Sequence, residues 1–180
     1  MKPRLLALAL LLAGAGTVPA AEDLLLNGSG IRTKPILGAM YELALWVPPA
    51  LKGAEAKVLL EADQPMNLIL TVQSRLITRA RFVEATREGF AKAAESGYAA
   101  DQTQSFLDQF SGTEFRKGDT ITMHYANGAL TTLYRKAADG TETVLGAIPG
   151  PELKRALFAI WLGSVPVQEP LKRNLLGGGK

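Results

Sequence analysis

Cysteine is absent from this 180-residue chain, and histidine occurs once, at His124. Without cysteine there is no disulfide framework and no thiol to carry a lipid anchor. A lone histidine removes multi-histidine metal sites and leaves a histidine-based triad a single candidate. Set among Thr122, Ala126 and Thr131 on a predicted strand, His124 reads as a surface or cleft-edge residue. No metal and no cofactor is expected. Internal repeats, low-complexity linkers and blocks of like charge are also missing. The formal net charge is +3, of which Lys2 and Arg4 supply two, so nothing in the composition asks for nucleic acid as a partner.

Long apolar runs are scarce as well. Leu5 to Ala13 falls well short of the roughly 20 residues that a spanning helix needs. With Lys2 and Arg4 before it and Val18-Pro19-Ala20 after it, this run reads as a secretory signal peptide, residues 1–20, cut after Ala20. The expected location is periplasmic or secreted, with no stable membrane span once the leader is removed. Residues 21–180 then make one domain, long enough for a sizeable core.

What is present is a strand-rich order of elements. LNGSGIRTKPILGAMYELALW, residues 26–46, reads as two strands folded at Pro35, and Pro48-Pro49 ends the second. Leu51 to Ala62 is a weak helical or irregular connection. Met66 to Val72 is a largely apolar strand whose expected partners are the first two. Residues 77–96 carry Phe82, Ala85, Gly89, Phe90 and Ala93 at helical spacing. Arg81, Glu84, Arg87, Glu88 and Lys92 fall on the other side and read as a solvated face, with Glu88 and Lys92 a well-oriented pair.

Residues 101–110 predict a shorter helix with Phe106, Leu107 and Phe110 on one side. Three antiparallel strands follow, at 119–126, 129–136 and 142–148, joined at Asn127-Gly128 and Asp139-Gly140. On the first of these hairpins Ile121, Met123, Tyr125, Leu130, Thr132 and Tyr134 share a face. Pro151 opens a helix with the apolar stripe Leu153, Ala156, Leu157, Ile160 and Trp161, closed by Gly163. A last short helix covers 170–176. The sum is an α+β fold, an antiparallel sheet with a helical layer on one side.

Two residues of the first hairpin stand out. Arg32 is a charge among small and apolar neighbours, and a buried guanidinium needs either a planar anion or a satisfied polar network. The turn at Pro35 leaves Tyr41 near it on the adjoining strand. Gly28 and Gly30 bare their strand, as happens where a ligand or another backbone comes close. The plainer readings are an internal salt bridge or a cap on loop carbonyls for Arg32, and ordinary core packing for Tyr41. Trp46 and Trp161 read as packing residues.

Three pieces, GSGIRTKPILGAMYELALWVP, ARFVEATREGFAKA and PGPELKRALFAIWLGSVPVQEPLKRNLLG, together resemble the chalcone isomerase-like family in its bacterial secreted branch. The resemblance implies an open-faced β-sandwich with a ligand cleft between sheet and helices. It matches Arg32 to the family's functional arginine, which holds the developing oxyanion in the enzymes and a carboxylate in the fatty-acid binders. Tyr41 stands where the enzymes carry a threonine, as it does in the fatty-acid-binding branch. The enzymes' further tyrosine and asparagine, near the start of the long helix, find no counterpart here.

Three readings follow. The first is capture of a fatty acid or other apolar carboxylate by Arg32 and Tyr41. The second is a chalcone-type intramolecular lyase or isomerase, with Arg32 supplying the cation and Tyr41 a proton or an oriented water. The third is a periplasmic module that binds a protein partner on the open side of the sheet and takes no small ligand.

Overall fold

The computed structural model describes residues 23–178; the predicted signal peptide lies outside them. Six strands form one antiparallel sheet in the order of the chain: β1 (Leu25–Lys34), β2 (Gly38–Val47), β3 (Met66–Val72), β4 (Thr120–Ala126), β5 (Ala129–Arg135) and β6 (Glu142–Pro149). Each strand pairs with its sequence neighbour, so β3 lies between β2 and β4 instead of joining both strands of the opening hairpin. The connections bring this about. The segment from β2 to β3 stays on the helical side, and the long excursion between β3 and β4 holds two helices yet returns to the adjacent edge.

Alternation decides which face is covered. Met66, Leu68, Leu70 and Val72 of β3 and Ile121, Met123 and Tyr125 of β4 are buried, while the residues between them are half-buried. Leu130, Thr132 and Tyr134 complete that inner face, as the hairpin reading predicts. Asn127 and Gly128 take φ values of 52° and 71°, the positive pair that a two-residue hairpin turn requires.

Five helices gather on the inner face: α1 (Ala56–Glu61), α2 (Arg79–Glu95), α3 (Thr103–Asp108), α4 (Pro151–Leu162) and α5 (Glu169–Leu175), with a short 3-10 turn at Pro49–Leu51. The sheet with its one helical layer is the α+β arrangement expected from the order of elements. Helix α4 departs from its amphipathic reading: nine of its residues are buried, Lys154 among them, because it is the central helix and lies among α1, α2, α5 and β5.

Helix α5 packs on β1, and two glycines allow it. A Cβ on Gly28 would lie 2.0 Å from the carbonyl oxygen of Asn174, and one on Gly30 would lie 3.0 Å from the Asn174 side chain and from Leu171. The bare strand thus admits another backbone, not a ligand. Between Leu26 and Gly28 the ladder carries an extra residue, Asn27. Its buried side chain donates to the Leu175 carbonyl at 2.8 Å and accepts from the Gly53 N–H at 2.8 Å, which fastens the end of α5. The Gly28→Ala variant is expected to lose about 3 kcal/mol in urea unfolding, because the clash is with backbone that cannot rotate away. Unchanged stability would show that α5 does not seat as described.

Candidate functional site

Arg32 and Tyr41 are direct cross-strand partners in the β1–β2 ladder. Immediately beyond them the register slips, Thr33 pairing with Ala39, so Met40 is an extra residue on β2. A bulge of this kind bends its strand and redirects side chains. Here Met40 and Tyr41 both turn to the helical side and, with Arg32, line a cleft of about 550 Å³. Its sheet wall includes Leu37 and Leu70, and its helical wall Ile77, Phe82, Ala85 and Gly89. Ile160, Trp161 and Val167 close it from the side of α4 and the loop that follows.

Arg32 is half-buried. Its Nη1 donates to the Thr33 carbonyl at 2.6 Å and to Oε1 of Gln168 at 3.3 Å. Gln168, the cap residue of α5, also accepts the Thr33 N–H at 3.2 Å and donates to the Thr33 hydroxyl at 3.1 Å. The carbonyl cap of the plainer reading is therefore present. The internal salt bridge is not: among the described residues the ion pairs are Arg87–Glu84 and Arg155–Glu61, and no carboxylate neutralises Arg32. Both hydrogen bonds leave through Nη1, so Nε and Nη2 remain available to a planar anion.

Tyr41 is fixed from the opposite side. The indole Nε1 of Trp161 donates to its hydroxyl at 2.9 Å. A phenol that accepts this bond keeps its own proton to give. Burial pushes the Tyr41 phenol above its usual range, against the weaker pulls of the Trp161 bond and the Arg32 charge, so it stays protonated near neutral pH and acts as a donor. The site thus sets a cation and a neutral O–H donor side by side at an apolar wall.

The charges of α2 need a correction. Arg81, Glu84, Glu88 and Lys92 line the cleft with Lys34, so this face of α2 is the rim of the cleft and not simply solvated surface. The ion pair on α2 is Arg87–Glu84 at 2.7 Å, not Glu88–Lys92. Helical spacing sets these residues apart from the apolar stripe, but it cannot show that a cleft opens along their flank.

His124 sits on the opposite face of the sheet, its Nδ1 2.5 Å from the side-chain oxygen of its cross-strand partner Asn67. It takes no part in the cleft. Sequence reading missed Gln168, which carries no local signal, and treated Trp161 as packing alone. Trp161 is buried as expected, and its one polar atom orients Tyr41.

The cleft lies between sheet and helical layer, and the sequence as a whole matches one family. A sequence model described as chalcone isomerase-like matches residues 14–177. The chain belongs to the chalcone isomerase-like family. Among solved structures, this chalcone isomerase-like chain is similar to a fatty-acid binding protein of Arabidopsis thaliana, with a TM-score of 0.68 and 18% identity over 87% of this chain and 88% of that one. At that identity the likeness shows the shared fold. No curated protein matches the sequence.

Proposed function

We propose that this chalcone isomerase-like protein binds a fatty acid or another apolar carboxylate, with the carboxylate on Arg32 and Tyr41 and the chain in the cleft. One observation carries the reading: a guanidinium with no carboxylate of its own stands beside a protonated phenol at the wall of an apolar cleft of about 550 Å³. Charge-assisted bonds from both groups converge on one anion, and the apolar walls take the tail. The shared fold with a plant fatty-acid binding protein agrees with this. We propose further that residues 1–20 act as a secretory leader, with the protein in the periplasm or outside the cell and in a bacterial secreted branch of the family; the short apolar run after Lys2 and Arg4 supports this.

Chalcone-type turnover draws less support. Among the described residues Tyr41 is the one tyrosine lining the cleft and no asparagine lines it, and the Thr86 hydroxyl is turned back to the Phe82 carbonyl at 2.8 Å. Little remains to hold the two rings of such a substrate.

A native mass spectrum of protein purified from cells should show a bound acid that leaves on denaturation. A clean apo mass after mild handling, with no uptake of added fatty acid, contradicts the reading. Chain length supplies a second test. Each added methylene should tighten binding by about 0.8 kcal/mol, roughly fourfold, until the tail reaches the close contact of Gly89 with Ile160. A series of saturated acids measured by displacement of a fluorescent probe should show this rise and then a plateau.

A further inference from the structure

At the mouth of the cleft two segments meet, 31–41 from the opening hairpin and 73–83 leading into α2. The Gln73 and Ser74 N–H groups join them by donating to the Met40 carbonyl at 2.9 and 3.1 Å. Together they hold Arg32, Lys34, Arg75, Arg79 and Arg81 and no acidic residue, in a chain whose whole formal charge is +3; Arg79 is turned to the Ser111 carbonyl, which leaves the other four to the mouth. The next residue along α2, Glu84, is taken up by Arg87 at 2.7 Å. Glu88 and Lys92 line the cleft farther along α2, one charge of each sign, so the excess of positive charge lies at the mouth.

Apolar side chains stand out from the same place. Leu37 is 51% exposed and Leu76 39%, and Ile36, at the tip of the hairpin, is fully exposed. Ile36 also has φ at 67°, inside a three-residue turn closed by the Leu37 N–H on the Pro35 carbonyl at 2.8 Å. A β-branched residue is disfavoured in that conformation, where glycine would be at ease. The tip therefore bears a backbone cost and an apolar side chain held in water. Burial of that side chain in another phase removes the second cost.

We propose that this mouth docks on the surface of an anionic lipid bilayer, with Ile36 and Leu37 entering the interface and the cations against the headgroups, so that ligand passes between membrane and cleft. Apolar tips ringed by lysine and arginine combine the two forces that hold peripheral proteins to anionic membranes. No helix among the described residues is long and apolar enough to cross a membrane, so the contact is interfacial. The transfer role rests on the ligand reading above; docking itself is measured separately.

The test is co-sedimentation with vesicles of equal parts phosphatidylcholine and phosphatidylglycerol, and with vesicles of phosphatidylcholine alone. The wild-type protein pellets with the mixed vesicles and not with the neutral ones, and added salt releases it. Ile36→Asp and Arg75→Glu, neither of which lines the cleft, each lower the bound fraction, and the double variant lowers the partition coefficient by about tenfold or more. In vesicle-free buffer the same variants take up fatty acid as the wild type does. Failure to pellet with mixed vesicles, equal pelleting with neutral ones, or indifference to both substitutions overturns the docking surface. Failure of the wild type to take up fatty acid in vesicle-free buffer is a different result: it removes the ligand reading and the transfer role with it.

Discussion

Arg32→Ala lowers the affinity for a long-chain fatty acid by about 3 kcal/mol, roughly a hundredfold, and leaves the fold intact. The loss is large because a carboxylate at Met40, Leu70 and Tyr41 loses its paired cation and keeps only the rim charges of Lys34, Arg81 and Lys92, and an anion without a direct partner there retains most of its desolvation penalty. The fold survives because Gln168 still holds Thr33 through two bonds of its own, to the backbone N–H and the hydroxyl. Tyr41→Phe removes one hydrogen bond and lowers affinity about tenfold. It also strands the Trp161 indole N–H, so a small drop in melting temperature accompanies it. An alcohol of matched chain length is the control. Wild-type protein prefers the acid strongly, and Arg32→Ala loses that preference. Calorimetric titration of both ligands against the three proteins checks this.

Lys154→Ala should destabilise the protein by about 4 kcal/mol in urea unfolding, the largest stability effect expected of any cation in the chain. The side chain is buried, and its ammonium donates to the carbonyls of Leu59, Leu60 and Ala62 at 2.6, 3.0 and 2.9 Å. These carbonyls end α1, so the lysine caps that helix from a neighbouring one while lying 5.7 and 5.3 Å from the ring centres of Tyr125 and Phe158. Lys154→Met keeps most of the volume and should cost less than Ala.

Desolvation pulls the Lys154 ammonium down to about 8, with Arg155 adding to the effect. The sign of the pH dependence follows. Between about 8 and the ordinary lysine value the unfolded chain binds the proton more readily than the folded one, so stability rises with pH across that window. The penalty for the charged form is complete below it. Tyr125, pushed up to about 12 by burial and its bond to Asp63, and Tyr134, raised by burial and Asp119, act in the opposite sense above pH 10. Stability should therefore climb by about 2 kcal/mol from pH 7 to pH 10 and then turn over. Lys154→Met should lack the climb.

Local rules reach part of this molecule. The Pro35 turn predicts that Arg32 and Tyr41 are neighbours, and they are paired residues. The inner face of the β4–β5 hairpin follows from alternation and Asn127-Gly128. Helix α4 is the instructive departure. A lysine beside Leu153 reads as outward-facing, because the cost of burying it is visible in the sequence and the three carbonyls that offset it come from a segment more than ninety residues away. The Met40 bulge depends on hydrogen-bond register between strands, which no residue type announces. Gln168 lies farther still from Arg32 along the chain, 136 residues on, and only the packing of α5 across Gly28 and Gly30 brings them together. Of the candidate site, Arg32 and Tyr41 were legible one at a time; Gln168, the polar role of Trp161 and what joins them all come from long-range packing.

The claim beneath the rest is that an anion's head, not its tail, meets Arg32. A fatty acid labelled with ¹³C at its carboxyl carbon, titrated with pH in complex with the protein and followed by NMR, measures this directly. The account predicts one bound signal whose midpoint lies below that of the free acid, because the guanidinium and the phenol favour the charged form, with the displacement abolished in Arg32→Ala. A bound carboxyl that titrates above the free acid would place the head in an apolar part of the cleft and contradict the account.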